Sequence, residues 1–92
     1  LLPQRVAYWA GVMGVRPTGI KITSARTRFG SCSGKNSLCF SLYLMAYTPE
    51  AIEYVVVHEL AHIRHKNHSP AFYAEVERYL PDWRQRQTLL KR

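Results

Sequence analysis

Residues 48–70 read TPEAIEYVVVHELAHIRHKNHSP, and the architecture follows from how this stretch is read. Thr48 can cap a helix, Pro49 suits its first turn, and Glu50 favours its positive end. The pattern predicts a helix from about 49 to 65. Its middle, Tyr54 to Val57, is apolar nearly all round, so the helix should be central and covered on several sides. His58 and His62 are four apart and share one face, about 6 Å apart along the axis. Both can reach one ion at the usual zinc–nitrogen distance of about 2.0–2.1 Å. Glu59, rotated by about 100°, cannot comfortably join that shell, but it can hold a water as a general base.

A third ligand must come from His65 or His68. His65 lies about 10 Å up a straight helix from His58, so the three rings would form a ladder rather than converge. His68 follows Asn67, a residue that tolerates the left-handed conformation used to end helices. A turn at Asn67 would carry His68 back over the metal. The expected set is therefore His58, His62 and His68 as metal ligands, with Glu59 as the catalytic carboxylate. Three neutral nitrogens and an open position make a catalytic zinc site, whereas a structural zinc would fill its fourth position with protein, and no fourth partner is evident.

Outward from this helix, Leu2, Val6, Trp9, Ala10 and Met13 form an apolar stripe on a first helix. Gly14 can close it, and Pro17 keeps it from resuming. Ile20 and Ile22 alternate with Lys21 and Thr23, which suggests a half-buried strand. Arg28 to Cys32 reads as a second strand, and Ser33 to Asn36 as a turn. Leu38, Phe40, Leu42 and Leu44 then alternate with Cys39, Ser41, Tyr43 and Met45, as in a strand continuing to about residue 45. A small antiparallel or mixed sheet of about three strands is expected. Ser69-Pro70 repeats the helix-start signal, with Phe72, Val76, Tyr79 and Leu80 inward. Pro81 breaks that helix, and Asp82 can cap a last one ending near Leu90, where Trp83 packs onto the body.

Ninety-two residues suit one α+β domain, able to bury roughly 60–65% of its unfolded surface. No run approaches the roughly 18 apolar residues of a membrane helix, so no membrane partner is expected, and no signal-peptide pattern is seen. The first residue is Leu1 rather than Met, so a region preceding the domain is allowed. Cys32 and Cys39 fit neither a zinc knuckle nor a disulfide framework; they read as free thiols of a reducing cytoplasm. The net charge of +7 favours acidic partners, nucleic acid among them, although the basic residues are scattered as on a solvated surface.

From Arg28 to Phe72 the chain resembles the YgjP-like metallopeptidase-domain family, relatives of the SprT-like and WLM peptidases. The resemblance rests on Arg28-Phe29-Gly30-Ser31-Cys32, on Tyr54-Val55-Val56-Val57-His58-Glu59-Leu60-Ala61-His62, and on Asn67-His68-Ser69-Pro70-Ala71-Phe72. It implies a minimal zincin-like fold, zinc on His58, His62 and His68, and Glu59 as the catalytic carboxylate. Phe29 stands where the family commonly has Trp.

The expected activity is hydrolysis of peptide bonds in a protein or peptide substrate. Arg28, Tyr43 and Tyr73 are candidates to stabilise the oxyanion. An edge strand, around 28–32 or 38–44, could bind extended peptide by strand addition. The alternatives are a metal-dependent nucleotide pyrophosphatase, for which no phosphate cradle is apparent, and a DNA-associated protease module.

Overall fold

The computed structural model describes residues 2–24 and 30–90. Helix α1 (Leu2–Met13) leads to strand β1 (Gly19–Thr23), β2 (Gly30–Cys32) and β3 (Ser37–Ser41). A 3-10 helix (Leu42–Ala46) then connects to α2 (Pro49–Arg64), α3 (Pro70–Tyr79) and the short α4 (Trp83–Thr88). The fold is α+β, as expected.

Helix α1 buries Leu2, Val6 and Met13 and packs Trp9 and Ala10 beside them. Gly14 ends it with φ at 69°, and the Val15 amide reaches back to the Ala10 carbonyl at 3.0 Å. That is a Schellman closure, which needs a left-handed residue and so favours glycine. Arg64 Nη2 donates to the Met13 and Gly14 carbonyls at 2.9 and 3.1 Å, satisfying acceptors the helix end leaves open.

The sheet is mixed, in the order β1-β3-β2. β2 and β3 form an antiparallel hairpin, with Gly30 opposite Phe40 and Cys32 opposite Leu38. The turn between them falls where its residues predicted: the Asn36 amide bonds the Ser33 carbonyl at 3.0 Å. Asn36 adopts φ of 65°. β1 pairs with β3 in parallel, Ile20 beside Leu38 and Ile22 beside Phe40. Alternation alone does not distinguish parallel from antiparallel neighbours, because both have a period of two.

Leu38 and Phe40 are fully buried, whereas Ile20 and Ile22 remain 37% and 45% exposed. β1 is an edge strand, and Ile20 lines an open groove with Val6, Ala10, Val15 and Pro17 of the α1 side. The half-burial expected of this strand is therefore not reached at its isoleucines.

Strand β3 also stops earlier than its alternation suggested. Ser41 Oγ accepts the Tyr43 amide and starts the 3-10 helix. Leu44 is buried but Leu42 is 56% exposed, because the chain has left the two-residue period.

Thr48 and Ser69 cap α2 and α3, accepting the Ala51 and Phe72 amides, with proline following each cap. Tyr54, Val55, Val56 and Val57 are all buried, as a central helix requires. Phe72, Val76 and Leu80 are buried as well, and the buried apolar side chains of all these elements join in one cluster. Asp82 stands at the start of α4 without capping it; its carboxylate instead takes Arg86 Nε at 2.9 Å. α4 ends at Thr88, short of the expected Leu90. Glu53 ties three helices together, pairing with Arg5 and accepting Trp9 Nε1 at 3.2 Å, with Arg86 Nη1 3.7 Å away.

Candidate metal centre

Helix α2 carries His58, Glu59 and His62, and the link to α3 carries His68. The three imidazoles converge through Nε2: His62 to His68 at 3.1 Å and His68 to His58 at 3.5 Å. One ligand atom from each lies within 4.8 Å of the others. Two nitrogens on one tetrahedral zinc lie roughly 3.3–3.4 Å apart, and the two pairs that include His68 are close to that separation. No other group of potential metal ligands occurs among the described residues.

The chain does not turn to His68 as expected. α2 ends at Arg64 with His65 as an extended C-cap, and Asn67 is not in the left-handed region. The extended backbone at His65 turns its carbonyl toward His62, whose Nδ1 lies 3.0 Å away. A carbonyl can only accept, so Nδ1 carries the proton and Nε2 keeps its lone pair for the cluster. His65 thus stays out of the cluster by its ring yet orients a member of it by its backbone. On the other side, the Tyr54 hydroxyl lies 3.4 Å from His58 Nδ1.

Beneath the three rings lies Phe72, fully buried, its centroid 5.0, 4.4 and 5.0 Å from those of His58, His62 and His68. Sequence periodicity marks Phe72 as core, but its place as the floor of this centre depends on how α3 docks and leaves no local signal.

Burial, and then the neighbouring His62 and His68, push His58 down to about 4. Burial likewise lowers His62, against the opposing pull of the His65 carbonyl and with help from His68 and Lys66. Both rings are therefore neutral at pH 7, the state a ligand must have. Burial pushes the Cys32 thiol up despite nearby Lys66, and Glu59 adds to the shift. A protonated thiol is a poor ligand. Cys32 and Cys39 are both free and partly buried.

Glu59 is buried, at 5% exposure, and its carboxylate rests against the backbone of β2 at Gly30. With Gly30, Ser31, Cys32 and Lys66, the four site residues line an open cleft of about 400 Å³. Gly30 lies in the 28–32 stretch that carries the family resemblance, but its fit to Glu59 depends on the docking of β2 on α2. Of the oxyanion candidates, Tyr73 stacks on His68 with centroids 6.1 Å apart. Tyr43 lies on the 3-10 helix and does not line the cleft, and Arg28 is outside the described residues.

The family model for the YgjP-like, metallopeptidase domain matches residues 1–92. The chain belongs to this family. A YgjP-like metallopeptidase domain is a metal-dependent peptide hydrolase, which agrees with a three-histidine group set in a cleft.

Solved structures share the fold, among them two archaeal zymogens. The crystal structure of the metallopeptidase zymogen of Pyrococcus abyssi abylysin matches with a TM-score of 0.85 at 20% identity, over 100% of this chain and 97% of that one. The metallopeptidase zymogen of Methanocaldococcus jannaschii jannalysin matches with a TM-score of 0.83 at 21% identity, over 96% and 91%. No curated protein matches the YgjP-like chain by sequence. No helix among its described residues is long and apolar enough to cross a membrane.

Proposed function

We propose that this domain is a zinc-dependent peptidase in which His58, His62 and His68 hold the metal and Glu59 is the general base. The carrying observation is the convergence of three Nε2 atoms, 3.1 and 3.5 Å apart along the two closest pairs, beside a buried carboxylate. Zinc bound there supplies Lewis-acid polarisation of a carbonyl and acidification of water. Glu59, one residue beyond His58, takes the proton of the attacking water and passes it to the leaving amine. Gly30 lets the carboxylate sit against β2 while facing the cleft. The His65 carbonyl holds the proton-bearing Nδ1 of His62 away from the cluster, and the Tyr54 hydroxyl meets His58 at Nδ1, on the side of the ring away from the cluster.

Strand topology narrows the peptide-binding candidates. β3 is paired on both sides and has no free edge for a substrate, whereas β2 is an outer strand and lines the cleft. An extended peptide adding to β2 would lie across the three histidines. Tyr73, beside His68, is the described candidate nearest the centre to assist the oxyanion.

Glu59→Gln tests this reading. It keeps shape and metal site but removes the base, so zinc should bind stoichiometrically while peptide hydrolysis falls by about 10²–10⁴-fold. Full hydrolysis by the zinc-loaded variant would sink the assignment of Glu59. Nucleoside triphosphates assayed beside unfolded protein should remain uncleaved.

A further inference from the structure

Trp83 is 8% exposed and sits at the start of α4, away from the cleft lining. Its ring stacks on Tyr73 with centroids 5.1 Å apart at 25°, and lies nearly parallel to Tyr54 at 6.4 Å and 12°. Each tyrosine then touches a different member of the histidine cluster. Tyr54 meets His58 edge-on at 5.7 Å, its hydroxyl 3.4 Å from Nδ1. Tyr73 stacks on His68 at 6.1 Å.

His58 rides on α2 and His68 on the link beyond it, so their relative position depends on what braces both. Phe72 supports the rings from below, and the two tyrosines support them from the α4 side. Trp83 is itself anchored. Its Nε1 donates to Glu77 Oε1 at 3.3 Å, and Arg86 of the same helix donates to the Glu50 carbonyl of α2 at 3.1 Å.

We propose that Trp83 is a positioning residue for the metal centre, acting through Tyr54 on His58 and through Tyr73 on His68. Metal ligands work only when their own rotamers are locked by packing behind them, and losing such support typically costs 10–100-fold in metal affinity. A large planar ring with few rotatable bonds provides that backing to two side chains at once. The inference rests on the zinc reading above.

The test measures Zn²⁺ affinity by chelator competition, and the visible spectrum of the Co²⁺-loaded protein, for wild type, Trp83→Leu and Trp83→Phe. Trp83→Leu should weaken zinc binding by roughly tenfold and alter the cobalt bands. Trp83→Phe, which keeps a stacking ring, should restore both toward wild type. A purely structural tryptophan would lower thermal stability in Trp83→Leu yet leave affinity and spectrum unchanged in the folded protein, and that result overturns the proposal. Should Trp83→Leu fail to fold, Tyr73→Leu carries the same test, because Trp83 and the Arg86 contacts that dock α4 remain. Unchanged affinity there also overturns it. Wild type that takes up no zinc overturns the metal reading itself, whereas wild type that binds zinc no better than Trp83→Leu overturns only this inference.

Discussion

Gly30 and Glu59 are fitted to one another across the β2–α2 contact: a Cβ on Gly30 would lie 3.1 Å from Glu59 Cγ and 3.3 Å from its Oε2. The same Cβ would meet the Cys39 carbonyl at 3.2 Å, so the sheet cannot easily give way. In Gly30→Ala the Glu59 side chain must therefore give by a few tenths of an ångström. Misplacing a reacting group by about 1 Å can cost on the order of 10²-fold. The displacement here is a few tenths of an ångström, so peptide hydrolysis should fall by less than that factor while zinc binding is retained, as measured by kcat/KM beside metal analysis.

His65 and His68 should part company in metal binding. His65 contributes its carbonyl to His62 Nδ1, which His65→Ala retains. His68 contributes its ring nitrogen to the cluster. Metal analysis after gel filtration should find zinc in His65→Ala and little in His68→Ala. The opposite result would reverse the ligand assignment.

The Arg64 guanidinium closes α1 by binding the carbonyls of Met13 and Gly14. Arg64→Met keeps the aliphatic stem and removes both donors. Chemical denaturation should show a loss of about 1–2 kcal/mol, with the metal centre still able to fill.

Stability should also depend on acid through Glu53. Burial opposes its ionisation, but hydrogen bonds from Arg5 and Trp9 and the charges of Arg5 and Arg86 outweigh that, holding its carboxyl below the usual value. The folded state then binds fewer protons than the unfolded one across the window between the two pKa values. The contribution is complete above the unfolded value of about 4.3 and is lost as pH falls through the lower folded value. Melting temperature should drop less steeply in Glu53→Gln than in wild type from about pH 5 to about pH 3. Equal slopes would remove Glu53 from the acid response.

Helix α2 and its histidine pair were legible because four-residue spacing on a helix is a rigid geometric statement, and because Thr48-Pro49 and Ser69-Pro70 are local signals with local causes. Axial distance singles out His68 over His65, and the structure brings the His68 ring to His58 and His62, but the chain turns through an extended His65, not a left-handed Asn67. The 3-10 helix at Leu42–Ala46 was read as strand, because alternating side chains look alike until Ser41 Oγ claims the Tyr43 amide. Gly30 beneath Glu59, and Trp83 behind two tyrosines, depend on the docking of distant segments and leave no periodic trace.

The histidine cluster joins residues no more than ten apart in sequence, His58 and His68, whereas the seat of Glu59 involves the distant strand β2. Loading and competence therefore draw on different parts of the chain. A substitution that shifts β2 should leave cobalt absorbance in place while cleavage falls, giving a molecule charged with metal but harmless to its neighbours.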